Sequence, residues 1–254
     1  MKNQNPKTRK LPKTRKPPKT RKLLNIGDNA KTIKSDKLGT YKTAILYLAP
    51  HDLAIPGKSV CPYAGDCIEL CLNTAGRGKF SNVQNSRIEK TKFFFNDRSR
   101  FLDQLASEVK AFELKCKKLG LKPAVRLNGT SDIPFEVLVA FEIIGNFPNI
   151  QFYDYTKNPH RMTRFLKDKY FPANYHLTFS YSEISPIVST NYFLNLGGTV
   201  AVVFNPTVPE LFMGHPVING DAHDLRFLDN PGSIVGLKAK GKARKSKSNF
   251  IVNL

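Results

Sequence analysis

No apolar run in this 254-residue chain approaches the roughly 20 residues that a membrane-spanning helix needs, so the sequence gives no sign of a membrane partner. Cysteine is scarce as well. Four residues, three of them crowded together, do not make the disulfide framework of a small secreted protein. The charged amino terminus lacks the apolar segment of a secretory signal, and together with reduced thiols this points to a cytoplasmic location. Acids are outnumbered, 20 Asp and Glu against 40 Lys and Arg, for a formal net charge of +20. Gly76-Arg77-Gly78 and Gly197-Gly198 make neither a dinucleotide nor a phosphate loop. No Ser/His/Asp arrangement stands out by spacing.

Much of the basic excess is local. Residues 1–22 carry ten Lys or Arg and no acid, in three copies of Pro-Lys-Thr-Arg-Lys beginning at Pro6, Pro12 and Pro18. Proline at that density with almost nothing apolar buries too little surface to offset ordering entropy, so a disordered basic arm is expected. A second basic run, Lys238, Lys240, Lys242, Arg244, Lys245 and Lys247, lies near the carboxyl terminus. Such a balance favours an anionic partner, with nucleic acid or a nucleotide as the leading candidate.

The remainder, residues 23–254, is long enough for one α/β domain. Apolar and β-branched runs predict six strands, at 43–49, 123–128, 150–155, 175–180, 199–204 and 233–238. Helical patterns separate several of them, at 97–119, 133–144, 158–170 and 182–196. Alternation of this kind implies parallel pairing with right-handed crossovers. A partial (β/α)6 TIM-like barrel is expected, with a doubly wound sheet as the alternative. Phe93-Phe94-Phe95 and Cys116 read as ordinary core.

Polar residues gather where the strand-like runs end, the edge at which parallel α/β folds assemble their sites. The second run ends in Arg126-Leu-Asn128-Gly-Thr130-Ser131-Asp132, the third in Asp154-Tyr155-Thr156-Lys157, and the fourth in Ser180-Tyr-Ser182-Glu183. Ser131, Asp132 and Ser182 also suit helix caps. Arg126 and Asp154 are less easily explained, because a charge inside a buried strand is costly without a partner. The segment 220–229 packs Asp221, His223, Asp224, Arg226 and Asp229 into one loop, fit for acid–base chemistry or for a salt-bridged surface. Candidate catalytic residues are therefore Arg126, Asp132, Asp154, Lys157, Asp221 and Asp224.

The densest chemical signal is Cys61-Pro-Tyr-Ala-Gly-Asp-Cys67-Ile-Glu-Leu-Cys71, just after the first strand-like run. Three thiolates so close suit a metal ion or an iron–sulfur cluster with one coordination position open. This cysteine string, Gly76-Arg77, Arg126 to Asp132, Tyr153-Asp-Tyr-Thr-Lys157, His176-Leu-Thr-Phe-Ser180 and Gly236-Leu-Lys-Ala-Lys-Gly241 together resemble a bacteriophage family named after gene product eighty-eight. That resemblance implies a phage source and so the cytoplasm of a host cell.

A more distant resemblance is to the radical S-adenosylmethionine enzymes. It implies a 4Fe-4S cluster on Cys61, Cys67 and Cys71, with S-adenosylmethionine as cofactor. By the same resemblance Asn128 and Thr130 lie where the methionyl group is held, and Ser180, Ser182 and Glu183 where the ribose is held. The cysteine spacing here is five residues then three, whereas that superfamily commonly has three then two. Three readings follow. The first is a radical enzyme acting on a nucleic acid or nucleotide. The second is a zinc-dependent base-modifying enzyme using Asp132, Asp154 or Asp221, and the third is a non-catalytic basic binder.

Overall fold

Each of the six apolar runs forms a strand, and all six point the same way. The computed structural model describes residues 21–27, 30–185 and 187–254; residues 1–20, most of the expected arm, lie outside it. Its strands are β1 (Leu24–Ile26), β2 (Tyr41–Leu46), β3 (Lys122–Arg126), β4 (Gln151–Thr156), β5 (Tyr175–Ser180), β6 (Thr199–Asn205), β7 (Leu211–Phe212), β8 (His215–Asn219), β9 (Ile234–Lys238) and β10 (Ile251–Asn253). Its helices are α1 (Ala30–Asp36), α2 (Ser81–Asn96), α3 (Arg98–Lys118), α4 (Phe135–Leu138), α5 (Pro159–Lys167) and α6 (Ile187–Asn195).

The sheet runs in the order β1-β2-β3-β4-β5-β6-β9-β8-β7. From β2 to β8 every neighbouring pair is parallel, and only the edge strands β1 and β7 pair antiparallel. The two ends of this path do not pair, so the sheet is open. β10 pairs with β6 at Ile251↔Val203, beyond the stretch where β5 pairs with it at Thr178↔Thr199 to Ser180↔Ala201. The chain terminus thus continues the wall where β5 stops.

The expected helices form for local reasons that the sequence states. In α3, Phe101, Leu105, Val109, Phe112 and Cys116 repeat at helical spacing and are all buried. Asp97 caps its start by accepting from the Arg100 N–H at 3.3 Å, and Gly120 at φ 66° follows its end. Asn158 caps α5 with Pro159 in the first turn. The helix expected over 133–144 is instead the short α4 followed by a wide turn over Ala140–Ile144. There Ile144 N bonds to Val139 O and Gly145 N to Ala140 O, one residue more per turn than an α-helix. The widening lets Ile143 and Ile144, adjacent in sequence, both enter the core.

The two faces of the sheet are covered differently. Ala44, Leu46, Val125, Phe152, Leu177, Val200, Val202 and Phe204 form one apolar cluster with Phe94, Phe101, Leu105, Phe135, Met162 and Phe193 from α2 to α6. Phe94 and Cys116 belong to it, so the aromatic run and the lone thiol are core. Each Val, Leu, Phe or Met side chain among them contributes roughly 1.5–3 kcal/mol by leaving water. Among the described residues the other face carries one helix, α1, at its β2 edge, where Thr43 Oγ1 donates to Thr32 O at 3.4 Å. Tyr41, Ala124 and Tyr153 pack there against Leu225 and Phe227 of the β8–β9 connection.

That connection reaches across this side of the sheet: Asp221 accepts from Lys238 N of β9 at 3.1 Å, and Asp224 pairs with Arg126 of β3 at 2.9 Å.

Candidate functional site

At the carboxyl ends of the parallel strands the side of the sheet that carries the β8–β9 connection opens into a cavity of about 850 Å³. Cys61, Cys67 and Cys71 line it from the loop after β2. Arg126, Asn128, Thr130 and Asp132 line it from the end of β3, Lys157 and Ser180 from the ends of β4 and β5, and Asp221 and Asp224 from the β8–β9 loop. Three expected site residues do not line it: Asp154, Ser182 and Glu183.

Asp154 points to the opposite face of β4 and is fully buried. Its carboxylate accepts from Asn128 N at 2.7 Å, from Asn128 Nδ2 at 2.9 Å and from the Tyr175 hydroxyl. Burial raises its pKa to about 6, with the Tyr175 and Asn128 hydrogen bonds opposing the rise only in part. Asn128 in turn accepts from Ser131 Oγ and from Ile133 N, at 2.7 and 2.9 Å. Asp154 therefore fixes the turn at 128–132 from behind. Gly129 completes that turn, because a Cβ there would stand 2.8 Å from Ile45 Cγ2 and 2.5 Å from the Tyr47 ring. The residue types that made 128–132 prominent in the sequence are thus partly a scaffold.

Two buried ion pairs stand beside the cavity. Arg126 donates to Asp224 at 2.9 Å and stacks over Tyr155 at 4.5 Å, and Tyr155 donates its hydroxyl to Asp224 at 3.2 Å. Burial alone would favour neutral Arg126, but Asp224 and its other neighbours outweigh that and hold it charged. Asp132 pairs with Arg161 and also accepts from Lys157 N at 2.9 Å. Arg161 makes a second, forked pair with Glu136, at 2.9 and 2.7 Å. Asp221 binds Lys240 and accepts from Lys238 N; burial would raise its pKa, but these contacts hold it below the ordinary carboxylate range.

The cysteine loop is tied down from several sides. His51, in the left-handed region at φ 53°, aims its N–H at Cys61 Sγ, 3.4 Å away. Asn73 N points at Cys71 Sγ at 3.5 Å, and Asn73 Oδ1 accepts from Arg87 at 2.5 Å. Arg87 lies over the Tyr47 ring at 4.7 Å. Burial pushes the Cys61 thiol up to about 12 and raises that of Cys71, while Arg87 and Lys157 pull the latter back toward the thiolate. Cys71 and Cys67 raise the Cys61 thiol further, and Cys67 raises that of Cys71. Among the described residues, no group of three or more His, Cys, Asp or Glu side chains is placed so that it could hold a metal ion. What the three thiols share is their donor type and their place in one cavity-lining loop.

Glu183 acts on the same loop. Its Oε1 accepts from Asp66 N at 2.8 Å, and Gly65 leaves the space it needs, since a Cβ there would sit 1.6 Å from that oxygen. Ser182 is buried and bonded to Ser185. Glu183→Ala is expected to free the loop and speed alkylation of the three cavity cysteines about tenfold, the equivalent of one lost hydrogen bond to a charged group. Mass-spectrometric labelling rates at Cys61, Cys67 and Cys71 check this; unchanged rates would remove Glu183 from the account.

Several residues of the site gave no signal in the sequence. Arg161 and Arg87 lie on helices with nothing to mark them, and His51, Tyr63 and Phe250 reach the cavity from irregular segments.

The structure has no helix, among the described residues, long and apolar enough to cross a membrane. No curated protein and no solved structure matches the chain. A family model does match: the one described as Gene product 88, over residues 20–253, which spans the cysteine loop, every strand and the whole cavity wall. The chain belongs to the Gene product 88 family, the bacteriophage family that its cysteine and strand-end motifs resemble.

Proposed function

We propose that this protein is a metal–thiolate enzyme acting on a nucleotide or nucleic acid, built as an incomplete (β/α)6 barrel. One observation carries the reading: a single cavity gathers Cys61, Cys67 and Cys71 with the 128–132 turn, Lys157, Ser180 and Asp221. The barrel is supported by the single cavity that β3, β4, β5, β6 and β9 all line, and by a helix layer on one face with only α1 on the other among the described residues, whereas a doubly wound sheet carries helix layers on both faces.

The three thiols would hold the metal, and the backbone N–H groups of His51 and Asn73 would donate to two of them. A 4Fe-4S cluster there would supply one-electron chemistry on S-adenosylmethionine. The chain's own residues would then bind and orient. The 128–132 turn, held from behind by the Asn128 amide, lines one wall and Ser180 another, so the expected ribose role rests on Ser180, with Ser182 and Glu183 turned away. Arg126 is neutralised by Asp224 and Asp132 by Arg161, which makes both holders of the wall rather than proton carriers. Apolar Ala201, Val203 and Leu237 keep water from the inner side.

Zinc at the same thiols is the second reading, favoured by His51 and Asp221 lining the same cavity, since zinc accepts nitrogen and oxygen ligands beside sulfur. The assay that separates them uses anaerobically reconstituted protein with a chemical reductant. Release of methionine from S-adenosylmethionine supports the cluster reading, and its absence in iron-loaded protein contradicts it. The nucleic-acid partner is supported by Lys238, Lys240 and Lys242 at the cavity wall and by the basic arm.

A further inference from the structure

Among the positive groups lining the cavity, three are already committed. Arg126 is paired with Asp224, Lys240 with Asp221, and Lys34 donates to the Asp221 carbonyl at 2.6 Å. Lys157 differs. Its ammonium lies 3.3 Å from Ser180 Oγ and 4.9 Å from the Phe250 ring centroid, and no carboxylate oxygen among the described residues stands within 4.0 Å. The nearest acid in its own wall, Asp132, turns both oxygens elsewhere, one to Arg161 and the other to the Lys157 backbone N–H.

A half-buried ammonium facing a cavity without a counter-charge is costly, and the aromatic face of Phe250 offsets only part of that. The Ser180 hydroxyl accepts from Lys157 and keeps its own proton free of any partner among the described residues. Two donors thus point at one place. Around them the wall is apolar, formed by Ala201, Val203, Leu237 and Phe250. Lys238 and Lys242, which also line the cavity and have no carboxylate partner among the described residues, bring further positive charge. That excess suits a dianion better than a single carboxylate, and the volume of about 850 Å³ suits a ligand of nucleotide size.

We infer that Lys157 and Ser180 form an anion subsite that takes the phosphate group of a nucleotide-sized phosphate ester, with the ester's body against Phe250, Val203 and Leu237. This names the substrate class for the proposed function and rests on that reading for its place in a reaction. The binding itself can be measured without any reaction.

The full chain is titrated calorimetrically with adenosine 5′-monophosphate, adenosine and acetate at matched ionic strength, as wild type, Lys157→Met and Ser180→Ala. The basic arm is common to all three proteins, so differences between them report on the subsite. Wild type is expected to bind the monophosphate at least tenfold more tightly than adenosine or acetate. Lys157→Met is expected to lose about tenfold in monophosphate affinity, the size of one charged hydrogen bond, and nothing for adenosine. Ser180→Ala is expected to lose about threefold and serves alone should Lys157→Met fail to fold. Monophosphate affinity within twofold of wild type in the folded variants overturns the subsite, and acetate binding as tightly as the monophosphate overturns the phosphate assignment. Metal content is measured on the same samples. Lost monophosphate affinity with unchanged metal supports the subsite separately from the thiolate centre, and unchanged affinity overturns it whatever the metal content.

Discussion

Arg161→Leu is expected to destabilise the protein by about 3–5 kcal/mol, because it removes one partner from a buried charge cluster and leaves the others behind. Arg161 is 4% exposed, and it holds Glu136, itself 2% exposed, by two hydrogen bonds. It also holds Asp132, whose other oxygen fixes Lys157 N. Loss of the guanidinium strands two carboxylates in a low-dielectric setting at neutral pH. Leucine fills part of the space but satisfies neither acid. Replacing the acid as well, in Arg161→Leu with Glu136→Leu, should recover much of the loss, since removing both partners of a buried pair is often nearly neutral. Urea unfolding of the two variants checks this. A single-variant loss below about 1 kcal/mol would mean that the cluster is solvated.

The second large effect concerns the thiols. Cys61→Ala, Cys67→Ala and Cys71→Ala are each expected to reduce retained metal to under about a tenth of the wild-type content, because three ligands with one position open leave no redundancy. Cys116→Ala is the matched control. Its sulfur is buried in α3 within the helix-side core and lines no part of the cavity, so metal content should be unchanged. Elemental analysis after gel filtration, with circular dichroism to confirm folding, gives the comparison. Full retention in any cavity-cysteine variant would remove that residue from the site.

The parallel core was legible because its runs obey simple rules. Buried parallel strands read as short continuous apolar stretches, and all six were found, with α3 and α5 between them marked by caps and periodic apolar faces. What escaped was short or polar. β1, β7 and β10 are two or three residues long and take their identity from the strand they pair with rather than from their own composition. α2 carries Lys90 and Thr91 among its buried residues, which blurs its amphipathic stripe. At the site, strand-end position pointed to Lys157 and Ser180, which line the cavity, but could not give side-chain direction. Asp154 is one residue away from the inward-facing Tyr153 and Tyr155, and the alternation of the strand sends it to the opposite face. Glu183 and Arg161 act through long side chains across chain separations that no spacing rule reveals.

The central claim is that Cys61, Cys67 and Cys71 hold a metal at the carboxyl edge of the sheet. Its most direct test is to purify the full chain without oxygen, measure iron, zinc and acid-labile sulfide per chain, and record the visible spectrum. The account predicts about four irons and four sulfides with a broad brown absorbance. One zinc without colour would contradict the cluster and transfer the site to the zinc reading. No bound metal in protein whose three cysteines remain reduced and intact would contradict the metal–thiolate enzyme altogether.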